Sequence, residues 1–431
     1  MTESKEFYKN LKNLMIPIAF QSFMMAAVSA GDSAMLGFVD EKAMAAVALA
    51  GNIQFVENLF LGSLVCGGTI LTAQYWGKGD KNTVERFFGL ILKYAIVIAG
   101  IFCLLAFLLP QQLMSIFTNE AELISIGGTY IQIAALSYFL TGITQCYLCI
   151  MKTTGLTKQS ASISSFALGL DTVLNAIFIL VFHMGAVGAA LTTTISRFIE
   201  LIVVLIYSKK MDAKPSFTKV SSELHKDFLK CSIPHLINGM VWGIGTTMYS
   251  VIIGHLGTAI TAANSVATIV RHLAIAVCRG LGQGGEILLA GVLGSGDMEK
   301  GKLYSKRLSR LSILCGVVCA GLALIFGNIL SYFMSLSDAA RYDLNIMIWI
   351  SAFYMLAQCI NVVVICGIFT AGGDTAFDAY SIAVTMWLII LPLAFMAAFW
   401  WKLNPLFVYF ILSLDEVVKI PWVYVHYKKY K

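Results

Sequence analysis

Long charge-free stretches decide what this chain can fold into. Residues 94–118, 311–337 and 379–401 contain no Asp, Glu, Lys or Arg, and other apolar runs recur along the whole sequence. A helix needs about 20 such residues to cross the hydrocarbon core of a bilayer. Backbone groups in lipid must find their hydrogen bonds within the protein, which leaves helices or closed barrels. Runs this long, without strict alternation, predict helices. With 58% apolar and 13% charged residues among 431, a water-soluble globule is excluded.

The expected fold class is all-α integral membrane. Twelve transmembrane helices are predicted, near 11–38, 44–76, 87–109, 122–152, 158–182, 184–208, 227–254, 258–294, 305–330, 338–371, 375–399 and 403–427. The polar opening residues 1–12 carry mixed charge and lead to no small-residue cleavage site, so no secretory signal peptide is expected.

The net charge of +6 does not point to nucleic acid, because the basic residues sit in short loops. Lys5, Lys9, Lys12, Lys78, Lys81, Arg86, Lys152, Lys158, Lys209, Lys210, Lys300, Lys302 and Lys428 share one side of this topology. Lys42, Arg341 and Lys402 fall on the other. The positive-inside rule then predicts a multi-pass protein of the cytoplasmic membrane with both termini in the cytoplasm. Nearly all of the ten cysteines lie in apolar runs and read as small buried hydrophobes, with a redox role for Cys146-x-x-Cys149 the minor alternative. The six histidines show no metal-ligand spacing.

An internal repeat organises the chain. Pro17 matches Pro234, Gly37 matches Gly254, and Gly67-Gly68 matches Gly284-Gly285, each 217 residues on. Gly77-Lys78-Gly79-Asp80 matches Gly294-Ser295-Gly296-Asp297, and Gly155 is paired with Gly372, at the same offset. Such a register reads as a duplication. The expected domains are an N-terminal six-helix lobe (1–208), a cytoplasmic linker (209–226) and a C-terminal six-helix lobe (227–431). Both copies start on the same side, so they are parallel repeats, two bundles related by a pseudo-twofold axis along the membrane normal.

Asp32 is the most expensive residue in this plan. It lies in the small and apolar stretch Met24–Gly37, where an ionised group costs about 2.5–3.5 kcal/mol on insertion scales. Its functional reading is a titratable or cation-binding switch; its bland reading is an aspartate hydrogen-bonded to a neighbour in a bent helix.

Pro17 followed by Gly31-Asp32-Ser33-Ala34-Met35-Leu36-Gly37 resembles the first helix of multidrug and toxic compound extrusion (MATE) transporters. The resemblance continues in Ala73-Gln74-Tyr75-Trp76-Gly77-Lys78-Gly79-Asp80, in Gly185-Ala186-Val187-Gly188-Ala189-Ala190-Leu191 and in Thr370-Ala371-Gly372-Gly373-Asp374-Thr375. It covers essentially the whole chain in order. It implies a secondary antiporter that exports mostly cationic, amphiphilic drugs or toxins in exchange for H⁺ or Na⁺, by alternating access of two lobes. It also implies coupling residues on helices 1 and 5. Asp32 matches the first; on helix 5, Asp171 and Asn175 stand in exchanged order. Their i,i+4 spacing keeps them on one face. Beyond a Na⁺ held by Asp32, Asp171 and Asn175, no metal is expected, and no cofactor.

Other polar residues inside spans remain candidates. Gln54, Glu57 and Asn58 on helix 2 read either as cavity-lining groups or as a local hydrogen-bond cluster. Arg279 with Glu286, Arg197 with Glu200, and Asp415 and Glu416 with Lys419 read as structural ion pairs. Pro17 and Pro234 each remove one helical hydrogen bond and mark expected bends. Gly280-x-Gly282-x-x-Gly285 satisfies a dinucleotide pattern but lies inside a membrane helix, where glycines permit close packing. No phosphate-binding loop of the form G-x-x-x-x-G-K-[ST] occurs. The partners expected are amphiphilic small molecules and the lipid bilayer, with a monomer as the functional unit. A lipid-linked precursor flippase is the alternative transport reading, and a membrane-embedded enzyme is weaker because no nucleophile–base pattern appears.

Overall fold

Why the spans become helices is visible in how their backbones end. The computed structural model describes residues 2–39, 41–218, 220–333 and 338–428, with all their side chains except those at 2–4, 29–30, 32–34, 36–39, 41, 258–259, 262 and 333. Asp80 caps α3 (Lys81–Leu108), and Pro110 starts the short α4 (Pro110–Ser115), where a missing N–H costs nothing. Glycines at positive φ end several others, such as Gly79 at +78° and Gly296 at +84°.

The chain runs α1 (Thr2–Val39), α2 (Glu41–Gly77), α3, α4, α5 (Ala121–Thr153), α6 (Thr157–Asn175), α7 (Gly185–Ser208) and α8 (Ser222–Gly254). It continues with α9 (Thr258–Ala274), α10 (Ala276–Gly294), α11 (Met298–Phe333), α12 (Asp338–Asn361), α13 (Ala376–Ile382), α14 (Leu391–Phe395), α15 (Pro405–Leu412) and α16 (Asp415–Tyr427). Helical residues 176–181, 362–369, 383–390 and 396–400 are wound as π-helix. No strand occurs among the described residues.

Eleven of the predicted spans are long and apolar enough to cross a membrane. The twelfth is present as α15 and α16, divided at Ser413–Leu414. Several helices start earlier than predicted, α1 at Thr2, α3 at Lys81 and α11 at Met298. Their first turns are polar, so hydropathy alone does not register them.

Contacts group the chain into two units, Met24–Ser232 and Met1–Phe23 with Ile233–Lys431. The unit Met24–Ser232 is built on α5, which packs against α2, α3 and α7. Its core includes Leu61, Phe87, Phe88, Ile91, Leu148 and Phe228, and a second cluster around Ile53, Met114, Tyr138 and Ile179. Residues of the expected linker lie on this core. Met211 and Ala213 are buried, and Ser216 N donates to Glu85 O at 2.9 Å. Gly89 lets that segment approach, since a Cβ there would sit 2.0 Å from Ser216 O.

In the other unit α11 packs on α12, and α10 on the π-wound 362–369 segment. The Gly280–Gly285 pattern is a packing surface, as expected of glycines in a span. A Cβ on Gly280 would lie 2.6 Å from both Ala19 Cβ and Met15 O, and one on Gly284 would lie 3.1 Å from Met15 N. The first half of α1, with Pro17, is thereby seated against α10.

The duplication is present in the geometry, but its register slips. Gly77 ends α2 and Gly294 ends α10, and Ala121 and Asp338 open α5 and α12, all at the 217-residue offset. The glycine at positive φ that pairs with Gly155 (φ +91°) is Gly373 (φ +87°), one residue beyond Gly372. His183 and Lys402, the two non-glycine residues at positive φ among those described, are 219 apart. A π-turn is how a helix absorbs an inserted residue. The 362–369 segment accounts for the first extra residue. The second falls between Gly373 and Lys402, where the 383–390 segment is wound as π-helix while α6 stays α-helical.

Candidate functional site

Four charged side chains from three helices meet inside the Met24–Ser232 unit. Arg197 on α7 donates from Nη1 to Glu200 Oε2 at 2.7 Å, and Glu200 is 2% exposed. This is the i,i+3 pair expected from the sequence. The Arg197 guanidinium is also within electrostatic reach of Asp171 on α6 and Glu57 on α2.

Glu57 is fully buried, and neither carboxylate oxygen has a hydrogen-bond partner. Asn58, the next residue, points outward and is exposed, while Gln54 is half-buried. The three form no hydrogen bonds with one another: both Glu57 oxygens are enclosed without a partner, and Asn58, about 100° farther round the helix, is turned away from them. Only Glu57 joins the charged group.

Asp171 is half-buried, with Oδ1 enclosed and unpaired. Thr172 donates to its own helix at Leu168 O (3.1 Å) and so does not satisfy Asp171. Asn175, one turn later, is 2% exposed and accepts from Thr192 Oγ1 on α7. Asp32 falls within α1, but its side chain lies outside the described residues. Among the described groups three carboxylates lie within electrostatic reach of one guanidinium. Buried charge of that surplus has to be neutralised by protons or by a cation.

The second unit also gathers acids around one cation, Lys419. Lys419 Nζ is 3.4 Å from Glu416 Oε1, while Glu416 Oε2 accepts from Asn361 Nδ2 at 2.7 Å. Asn238 on α8 donates to Asp378 on α13 at 2.6 Å. Asp415 is within electrostatic reach of Lys419, as is Asp378, and it also lines a cavity of about 340 Å³. Arg279 lines the same cavity and forms no ion pair with Glu286, which is buried farther along α10. Arg271 spans the cavity wall between the rings of Tyr354 and Tyr409, 5.7 Å from each centroid. Three enclosed oxygens of the same wall, Tyr249 Oη, Asn264 Oδ1 and Gln358 Oε1, have no partner. Pro17 and Pro234 both sit inside continuous helices.

Sequence reasoning missed Asp378, Asn238, Asn361 and Arg271. An arginine in the middle of an apolar run was a visible signal for Arg271. The other three are joined over separations of 140 and 55 residues, which no local pattern displays.

Comparison with known proteins bears on the family and the fold. The MatE family profile matches twice, over residues 17–177 and 236–396. An uncharacterized transporter of Bacillus subtilis, YisQ, is 22% identical over 407 residues, covering 90% of this chain and 87% of its own. A Pasteurella multocida protein named as a probable multidrug resistance protein NorM is 24% identical over 428 residues, covering 90% and 86%. Among solved structures, a Vibrio cholerae MATE transporter, VcmN, superposes with a TM-score of 0.91 at 17% identity, covering 100% of this chain and 98% of that one. A MOP-superfamily transporter from Pyrococcus furiosus superposes at 0.89 with 15% identity, covering 98% and 96%.

Proposed function

The chain belongs to the MatE family, and we propose that it is a secondary antiporter that exports amphiphilic organic drugs or toxins across the cytoplasmic membrane in exchange for H⁺ or Na⁺. The observation that carries this reading is the surplus of carboxylates around Arg197. Glu200 pairs with the Arg197 guanidinium at 2.7 Å, and Glu57 and Asp171 lie within its electrostatic reach. A site with that imbalance takes up protons or a hard cation, for which carboxylate and amide oxygens are suitable ligands.

In this mechanism an external cation enters the group formed by Asp171, Asn175 and Glu57, together with Asp32. Its binding energy favours one of two conformations, and the organic substrate favours the other. Exchange follows from that difference in affinity, as linkage requires. Bending of α1 at Pro17 accompanies the cycle, with Pro234 at the corresponding point of the second copy. The reading needs no cofactor, no enzyme chemistry and no nucleic acid. It places both termini in the cytoplasm and takes the monomer as the working unit, with 1–208 and 227–431 as the two lobes joined by 209–226.

The test is transport in proteoliposomes with Na⁺ and H⁺ gradients imposed separately. Asp32→Asn and Asp171→Asn, expressed at normal levels, are expected to abolish gradient-driven efflux. Full activity in both would refute the coupling assignment, and Pro17→Ala with unchanged coupling would remove the bend from the mechanism.

One observation favours a second reading. Arg271, His272 and Arg279 line the 340 Å³ cavity against a single acid, Asp415. That balance suits a ligand with an anionic head group, as a lipid-linked precursor flippase would require. Scrambling of a fluorescent anionic lipid without an ion gradient, alongside absent drug efflux, would favour it.

A further inference from the structure

Three cysteines that the sequence scatters over 82 positions, 278 to 359, converge in the unit containing Ile233–Lys431. The sulfurs of Cys278 on α10, Cys315 on α11 and Cys359 on α12 all lie within 4.8 Å of one another. Cys319, one turn after Cys315, has its sulfur 4.0 Å from that of Cys315. Cys278, Cys319 and Cys359 are fully buried and Cys315 is 6% exposed. All four are free thiols. The Cys278 thiol donates to the Cys359 carbonyl at 3.8 Å, a weak hydrogen bond.

We propose that this cluster is a binding site for one soft monovalent metal ion, copper(I), held by the sulfurs of Cys278, Cys315 and Cys359. The donor set selects the ion. Sulfur ligands favour copper(I) and zinc, whereas Na⁺, Mg²⁺ and Ca²⁺ require oxygen. Structural zinc is almost always bound by four ligands, whereas the mutually close set holds three sulfurs, with Cys319 beside Cys315 outside it. Bonds of ~2.3 Å to three sulfurs need them roughly 4 Å apart. From sulfurs within 4.8 Å of one another, that spacing needs a contraction of under about 1 Å.

Charge is consistent with a monovalent ion. Binding replaces thiol protons, which leave to solvent, and no electron is transferred. Copper(I) on two thiolates and one thiol carries one net negative charge. Arg279 follows Cys278 in sequence and is within electrostatic reach of it, and its guanidinium offsets that charge. An occupied site would tie α10, α11 and α12 together. It is independent of the transport reading, because it uses none of the residues assigned to coupling.

The full chain would be purified in detergent under anaerobic conditions and titrated with copper(I) supplied as its bicinchoninate complex, with metal content read by mass spectrometry. The expected result is about one copper per chain, with a raised unfolding temperature as linkage demands. Cys278→Ser/Cys315→Ser/Cys359→Ser is expected to retain less than about a tenth of the metal and to show no thermal shift. Cys146→Ser/Cys149→Ser, in the other unit, is expected to bind as the wild type does. If the triple variant does not elute as a folded species, Cys359→Ala decides, with binding weakened at least ~10-fold. Wild-type protein without bound copper, equal copper in the variants, or preferential retention of zinc would each overturn the assignment.

Discussion

Arg197 and Glu416 stand at equivalent positions in the two repeats, 219 residues apart, and carry opposite charges. Each belongs to an i,i+3 ion pair, Arg197 with Glu200 at 2.7 Å and Glu416 with Lys419 at 3.4 Å. The spacing matches that between His183 and Lys402, the positive-φ residues just before these helices. The duplication has therefore kept a neutral pair in each copy while reversing its direction. In the first copy the cation is the residue within reach of Glu57 and Asp171. In the second the corresponding residue is an acid, and the lysine answers it from one turn away.

Removing one member of the first pair should be costly. Arg197→Met leaves Glu200 buried and unpaired, a loss of about 3–5 kcal/mol. Arg197→Met/Glu200→Met removes both charges and should recover more than half of it. Thermal unfolding in detergent of the two variants measures the difference; equal losses would show that Glu200 does not depend on Arg197.

Glu57→Gln keeps the shape of a side chain whose two carboxylate oxygens have no partner. Expression and unfolding temperature should be unchanged or improved, since a buried ionisable group is replaced by a neutral amide. Gradient-driven efflux should fall at least ~10-fold if Glu57 shares the coupling charge. Wild-type efflux in proteoliposomes would confine Glu57 to a structural role.

The α10 glycines make a steric prediction. Gly280→Val places side-chain atoms against Met15 O and Ala19 and should destabilise by about 1–3 kcal/mol through overpacking. Gly321→Ala, with nothing within 4 Å of the added Cβ, should instead stabilise α11 by roughly 0.5–1 kcal/mol. Unfolding temperatures moving in the same direction for both would count against this packing.

Asp80 supplies a pH-dependent term outside the membrane. Its carboxylate accepts from Thr83 Oγ1 at 2.6 Å and Thr83 N at 3.1 Å, and these hydrogen bonds hold it below the usual carboxylate range. A lowered folded-state pKa stabilises above the unfolded value of ~3.9 and loses that contribution as pH falls through the folded value. Asp80→Ala should cost about 0.5–2 kcal/mol near neutral pH. The gap from wild type should close in acid. A constant gap from pH 7 to pH 3 would rule out the carboxylate as its source.

Much of this molecule is written locally. Membrane insertion, the helical state and the number of spans follow from runs of apolar residues, because lipid leaves the backbone no other partners. The duplication is legible because Pro17, Gly67 and Gly77 recur as Pro234, Gly284 and Gly294. The i,i+3 pair Arg197–Glu200 needs only helical periodicity. What sequence could not supply is contact between helices. Gly372 and Gly373 are indistinguishable as letters, and the inserted turn in 362–369 decides which one takes the left-handed position. Glu57, Asp171 and Arg197 come from three helices, and Cys278, Cys315 and Cys359 from three more. Hydropathy records that each of these residues is inside a span; only side-chain packing, which joins positions tens of residues apart, determines which of them share a site.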